Sequence, residues 1–405
     1  MHGSANHTSN ILVAGTVVGF YFLFLIKFST AGRIYNVVDY QAVGDGTIDD
    51  SQAFMKAWSA ACSDAIPATL LVPPGKKFLI GTATSLQGPC NSPVNFQIDG
   101  NITAPNRIWT TERITWISFN NINNLNVYGQ GTIDGQGAIW WDYFVHYSYV
   151  CSSQLIDFDG CNNLALSNIT LMNGPRRHLA FHQCTHLTVK GITITAPGDS
   201  PNTDGINIAD SQNINITGST FAIGDDCIAI SSGTSNVSIS NMTCGPSHGI
   251  SIGSLGRGGT VAEVEQIHVF NSNIFHSMTG VRIKTWQGGS GYVKDVTFER
   301  INITQVATPI VINQFYTDYS SPASKEDAVA ISNVKFMNIQ GTSTKKTAVC
   351  IQCSAAVPCT NLTFDTVTLA RDEGDNRTVS ATIENAYGMS EGITIPHISL
   401  SKKIA

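Results

Sequence analysis

Beyond residue 120 the chain alternates between polar and apolar positions. A polar residue followed by apolar residues at every second position recurs as NLNVYG from Asn124, NLALSNI from Asn163, HLTVKGI from His186 and NINITGS from Asn213. It continues as NVSISNM from Asn236, QIHVFNS from Gln266, DVTFERI from Asp295, NVKFMNI from Asn333 and NLTFDTV from Asn361. Period-two alternation in short runs predicts strands with one buried face. From Asn163 to Asp295 the runs return after 23, 27, 23, 30 and 29 residues, with longer intervals toward the ends. Strand alternation with a coil-length period predicts a parallel β-helix, whose core grows with each added coil. Leucine-rich repeats have similar lengths, but their leucine and asparagine ladder is absent. The Asn that opens most units is expected to stack as a hydrogen-bonding ladder at a turn. No boundary interrupts the array, so one elongated all-β domain over 32–405 is expected.

The array has distinct ends. SQAFMKAWSAAC places Phe54, Ala57, Trp58 and Ala61 at helical spacing, with Asp49, Asp50 or Ser51 as N-cap. One amphipathic helix before a long β region reads as a cap over the first coil. The stretches 73–120 and 313–330 read as insertions bordering a cleft. Ile11 to Ile26 is a run of 16 apolar or small residues, followed by Lys27 and Ser29-Thr30-Ala31. That is short for a membrane span and suits a signal-peptide core with a small-x-small cleavage site, so 1–31 is expected to be a signal peptide. The segment before it carries no Lys or Arg, which keeps an uncleaved signal anchor as the competing reading. Either way the remainder lies on the luminal or extracellular side.

Composition narrows the picture further. Charged residues are 13 %, glycines number 36 and the net charge is −6. The glycine content suits a turn-rich β protein, and the charge gives no global attraction to nucleic acid. Ten cysteines fit an oxidising compartment. Cys227 with Cys244, Cys62 with Cys90, and members of the Cys350, Cys353 and Cys359 cluster are candidate disulfides. Zinc is a weaker reading of that cluster, which has no accompanying His or second Cys pair. Nine N-x-S/T sequons occur, among them Asn101, Asn168, Asn215, Asn236, Asn302 and Asn361. Several lie inside the repeat, and only some are expected to carry glycan.

The chemistry gathers in one stretch. Asp204, Asp226 and His248 are spaced 22 residues apart, each just ahead of an alternating apolar pair. In a solenoid they stack in a column at roughly the 4.8 Å strand spacing. Asp225 joins this column only if the backbone bends, because neighbours on a strand face opposite ways; Gly224 would permit a bulge. Clustered carboxylates cannot all stay ionised cheaply, so one should have a raised pKa and act as a general acid. An acidic turn or a calcium site is the plainer alternative. Arg282 and Lys284 share a strand face and suit either a substrate carboxylate or the aspartates themselves. Arg176, Arg177 and His178 read as a solvated turn that could extend a basic strip, and Trp140 and Trp141 as packing residues that could stack a sugar.

NTDG at 202–205, GDD at 224–226, HG at 248–249 and RIK at 282–284 stand in the order and spacing of the polygalacturonases, pectin-degrading inverting glycoside hydrolases that this chain resembles. VVDYQAVGDGTIDDSQAF near the start, GTIDGQGAIWWD at 131–142 and ISIGSLG at 250–256 resemble the plant-type branch. The resemblance implies a right-handed parallel β-helix with an open cleft, no cofactor and no metal. It implies a secreted, monomeric enzyme of the cell wall acting on α-1,4-linked galacturonan. Carried over residue by residue, Asp225 is the general acid, Asp204 and Asp226 activate the attacking water, and His248 supports the acid's protonation. Arg282 and Lys284 hold the galacturonate carboxylate, with Asn202 and Tyr316 as further substrate contacts. One position departs from the family's usual Gly-His-Gly: Ser247 stands first, which requires a negative φ there. Three other functions compete. They are a calcium-dependent lyase on the same polymer, a hydrolase of modified pectins such as rhamnogalacturonan, and an inactive pectin-binding wall protein.

Overall fold

The computed structural model describes residues 32–109, 115–146, 154–317, 327–372 and 378–401, so the leader expected over 1–31 lies outside the described residues. The predicted alternation becomes coils. Strands pair in parallel from one coil to the next and form a 21-stranded and an 11-stranded sheet. The smaller sheet comprises β1 (Thr84–Gln87), β2 (Thr115–Asn120), β3 (Gln154–Asp159), β4 (Leu179–His182), β5 (Ile206–Ala209) and β6 (Ile228–Ile230). It continues with β7 (Ile250–Leu255), β8 (Thr279–Trp286), β9 (Thr308–Tyr316), β10 (Thr347–Gln352) and β11 (Ser380–Glu384).

Register in this sheet is set by two buried columns that flank one outward row, and the second of them begins with three aromatic residues. Phe119, Phe158, Phe181, Ile208, Ile230, Ile252, Ile283, Ile312 and Ile351 are successive partners and all lie in the core. The three phenylalanines stack with centroids 4.8 and 5.3 Å apart. A slip of one residue would expose the whole column, so the pattern permits one alignment. The residue before each of these points outward, giving Asp157, Ala180, Asn207, Ala229, Ser251 and Arg282 in consecutive coils. That outward row is the floor on which the site is built.

The expected ladder is present on the larger sheet. Asn163 Nδ2 donates to Asn124 Oδ1 at 2.6 Å, Asn236 to Asn213 at 2.7 Å and Asn361 to Asn333 at 3.2 Å. These residues share φ values from 52° to 59°, a left-handed turn that asparagine tolerates better than most side chains. A cap is also present. Helix α1 (Ser51–Cys62) buries Phe54, Ala57, Trp58 and Ala61 against the first coils, and Trp58 Nε1 donates to Gln87 O at 3.0 Å. Asp50 is the N-cap by position, but its carboxylate accepts from the Val43 and Gly44 amides, while Asp49 accepts from Ser51 N at 2.9 Å.

The region 73–120 is not an insertion. Lys77–Leu79, Val94–Ile98 and Asn101–Thr103 are strands in the same ladders as the rest, so the first coils begin before the repeat is readable. In 313–330, β9 runs to Tyr316 and a further strand begins at Ala330, while 318–326 lies outside the described residues. Disulfides join Cys62 to Cys90, Cys227 to Cys244 and Cys353 to Cys359. Cys161, Cys184 and Cys350 are free among the described residues.

Candidate active site

The site lies where three turns lead into β5, β6 and β7, and backbone bonds lock those turns to one another. Gly205 N donates to Asp226 O at 2.9 Å, Cys227 N to Gly249 O at 2.8 Å and His248 N to Asp225 O at 2.8 Å. Thr203 Oγ1 accepts from Gly224 N at 3.0 Å, so the second residue of NTDG holds the first residue of GDD. Asp225 and Asp226 occupy this bend and not a strand, so both carboxylates can serve one site without a bulge. Gly224 is required for space: a Cβ there would lie 1.9 Å from Ser200 O. Gly249 is required for conformation, with φ at +87°.

Each carboxylate has its own surroundings. Asp226 is buried, and cations cover both its oxygens: Arg282 Nη2 at 2.6 Å on Oδ1 and Lys284 Nζ at 2.7 Å on Oδ2. Ser251 Oγ adds a third bond to Oδ1 at 2.8 Å and accepts from Arg282 Nε at 3.0 Å. Asp225 Oδ1 meets His248 Nδ1 at 2.9 Å and accepts from Asp226 N at 2.8 Å. Burial would raise the Asp225 carboxyl, but the His248 hydrogen bond and charge, with Lys284 nearby, bring it below the usual carboxylate range. Asp204 is the reverse. Burial, then the charges of Asp225 and Asp226, pushes its carboxyl up to about 7, opposed by Arg177 and by the Asn207 Nδ2 bond at 2.7 Å. Asp204, raised where Asp225 is lowered, is therefore the one of this pair disposed to hold a proton.

His178 departs from the solvated turn expected for it. It is fully buried beneath Asp204, donating from Nδ1 to Asp204 O at 2.9 Å and accepting on Nε2 from Gly174 N at 3.0 Å. Those two bonds require the neutral tautomer, and burial pushes its pKa down to about 4. Ser247 is accommodated. Its φ is not left-handed, and its Oγ bonds Ser277 Oγ at 2.8 Å and accepts from Gly249 N at 2.9 Å, with His248 in contact with Asp225. Trp140 is buried against Trp109, as expected of a packing residue.

A cavity of about 200 Å³ opens over the cluster, lined by Asp204, Asp225, Asp226, Asn202, Lys284 and Tyr316 together with Arg176, Arg177 and Asn207. Six of the eight residues singled out from the sequence line this cavity, and His248 and Arg282 join it through their bonds to Asp225 and Asp226. Lys284 reaches the cavity and lies 5.4 Å from the Tyr316 ring, whereas Arg282 is spent on Asp226 and Ser251. Ser251 and Asn207 were missed. Their signal was present, since both occupy the single outward position between paired isoleucines that the 22-residue repeat marks.

A parallel β-helix carrying three carboxylates, a histidine and a lysine over an open groove defines a class of polymer-cleaving enzymes. The chain matches the model of glycosyl hydrolases family 28 over residues 62–389 and belongs to that family. It is 43% identical over 345 residues to a probable polygalacturonase of Arabidopsis thaliana, covering 84% of this chain and 74% of that one. To a polygalacturonase of Chamaecyparis obtusa it is 41% identical over 377 residues, covering 90% and 72%. The crystal structure of endo-xylogalacturonan hydrolase from Aspergillus tubingensis superposes with a TM-score of 0.75 at 23% identity, over 89% of this chain and 100% of that one, and shares the fold. The chain is thus a glycoside hydrolase. No helix among the described residues is long and apolar enough to cross a membrane.

Proposed function

We propose that this chain hydrolyses α-1,4-galacturonosyl linkages of pectin by single displacement, with Asp225 as the acid and Asp204 and Asp226 as the water-activating carboxylates. The observation that carries this reading is the division of labour within one cluster: a carboxyl bonded to histidine, a carboxylate clamped by cations and a buried carboxyl pushed up by its neighbours meet over one cavity. Inverting hydrolysis needs one proton donor and one carboxylate that activates water across the sugar ring. In the free site the proton favours Asp204 over Asp225, which is the wrong place for an acid at 225. A uronate carboxylate docking on Lys284 corrects this. Lys284 is one of the groups that hold the Asp225 carboxyl down, so neutralising it raises Asp225. The coupled pair then shifts its proton from Asp204 to Asp225, freeing Asp204 as a base. Arg282 pairs with Asp226 and holds it in place, and Asn202 and Tyr316 border the bound ring. His248 stays on Asp225 and orients it.

The cluster is complete within one chain, which supports a monomer as the acting unit. Three disulfides support an oxidising, secreted location, in keeping with a cell-wall enzyme whose domain over 32–405 follows a cleaved leader. The deciding experiment measures reducing ends released from polygalacturonic acid in the presence of a chelator. Wild-type protein is expected to release them, and Asp225→Asn to fall by about 10²–10⁴-fold. Unsaturated products, or release that the chelator abolishes, would point to a lyase and overturn the reading.

A further inference from the structure

Next to the catalytic cavity, toward the N-terminal coils, the groove continues into a second cavity of about 200 Å³, lined by Asp157, Ala180, His182, Asn207, Ala209 and Ser231 among others. Arg177, Asn207 and Ser231 line both cavities, so one chain of sugars could run through them. The floor is low here. Ala180 and Ala229 flank Asn207 in the outward row, and a pyranose ring spans about one strand spacing.

Asn207 is the part that points to a ligand. It is 7% exposed; its Nδ2 is held by Asp204, and its Oδ1 has no partner. Asn207 lines the cavity and its amide oxygen is buried without a partner, which costs free energy that a sugar hydroxyl reaching it would recover. The wall around it is acidic. His182 sits between Asp159 Oδ1 and Asp210 Oδ2, each 3.1 Å from a ring nitrogen, with Asp157 on the same strand as Asp159. Arg177 is the facing cation, and its charge is divided between Asp157 and Asp204. Burial, then the neighbouring Asp159, pushes the Asp157 carboxyl up to about 6, and a free uronate placed beside it would add like charge.

We propose that this stretch of the groove is a subsite for an uncharged pyranose, with Asn207 Oδ1 accepting one of its hydroxyls and Asp157, Asp159 and Asp210 repelling a free uronate. It rests on the galacturonan-hydrolase reading of the neighbouring cavity and deepens it. The substrate becomes a galacturonan whose ring over β4 has lost its charge, either through methyl esterification or because a neutral sugar stands there. Selection comes from like-charge exclusion on one side of the cleaved bond and from Lys284 on the other.

The test compares kcat/KM of the full chain on oligomers of one length in three forms: free galacturonate, partly methyl-esterified galacturonate, and galacturonate alternating with a neutral sugar. Mass spectrometry of the products reports which rings flanked the broken bond. The wild type is expected to favour an uncharged ring on one side of it while cleaving the free oligomer more slowly, and the form with the higher kcat/KM tells ester from neutral sugar. Asp157→Asn/Asp159→Asn should shift the ratio about tenfold toward the free oligomer, and Asp210→Asn should shift it the same way. An unchanged ratio in both variants, with thermal midpoints near wild type, would overturn the proposal. If the wild type cleaves none of the three, the hydrolase reading fails by itself. Calorimetric titration of the same oligomers into the Asp225→Asn protein then decides the subsite: tighter binding of an uncharged form upholds it, and equal or weaker binding overturns it.

Discussion

At the residue scale, the decisive group is the proton on Asp204. Its folded pKa of about 7 lies above the usual carboxylate value, raised by burial first and by Asp225 and Asp226 next. Activity that needs this proton is expected to hold below pH 7 and to fall about tenfold per unit above it, read as kcat/KM against pH. Stability carries the same signature. The native state keeps a proton that the unfolded chain releases near pH 4, so this group's contribution is full below pH 4 and is lost as pH rises to about 7. Asp204→Asn should remove that slope. Relative to wild type it should gain on the order of 4 kcal/mol between pH 4 and pH 8 in denaturant titrations. A variant curve parallel to wild type would place the proton elsewhere. Residue identities here were legible in the sequence because chemistry recurs at a fixed spacing. Pairings were not. Whether Arg282 faces substrate or Asp226 depends on rotamers that strand alternation does not determine, and His178 looked exposed because nothing local shows that its turn folds beneath the next coil.

At the element scale, the bend at 224–226 works because two chains pass within contact distance at Gly224. Gly224→Ala forces its Cβ against Ser200 O and should cost about 3 kcal/mol or more, with activity lost as Asp225 and Asp226 move. A thermal midpoint and kcat equal to wild type would show that the turn has slack. Alternation predicted the coils well from Asn124 onward, where runs are long. It missed those over 73–120 because Lys77–Leu79 and Asn101–Thr103 are three residues each, and because Val94–Ile98, though it alternates, follows Pro93 and lacks the polar residue that opens the later units. The asparagine ladder was legible for a firmer reason, since a left-handed turn and a stacked amide both favour the same side chain.

Across the whole molecule, stability is a sum over neighbouring coils, and the aromatic stack at the N-terminal end of the smaller sheet links three of them. Phe158→Ala would open a gap between Phe119 and Phe181 and should lower unfolding free energy by about 3–5 kcal/mol. Denaturant melts of the variant would check it; a loss under 1 kcal/mol would mean that adjacent coils close the gap. That stack lies under the acidic wall of the groove, so its loosening should disturb the second cavity before the catalytic one.

The outward row of one residue per coil has a further meaning. Because β5, β6, β7 and β8 and the turns that lead into them supply the whole reactive constellation, a coil gained or lost beyond either flank leaves every reactive atom where it was. The groove is a ruler with one graduation marked, and its length can change by whole graduations over generations while the mark stays put.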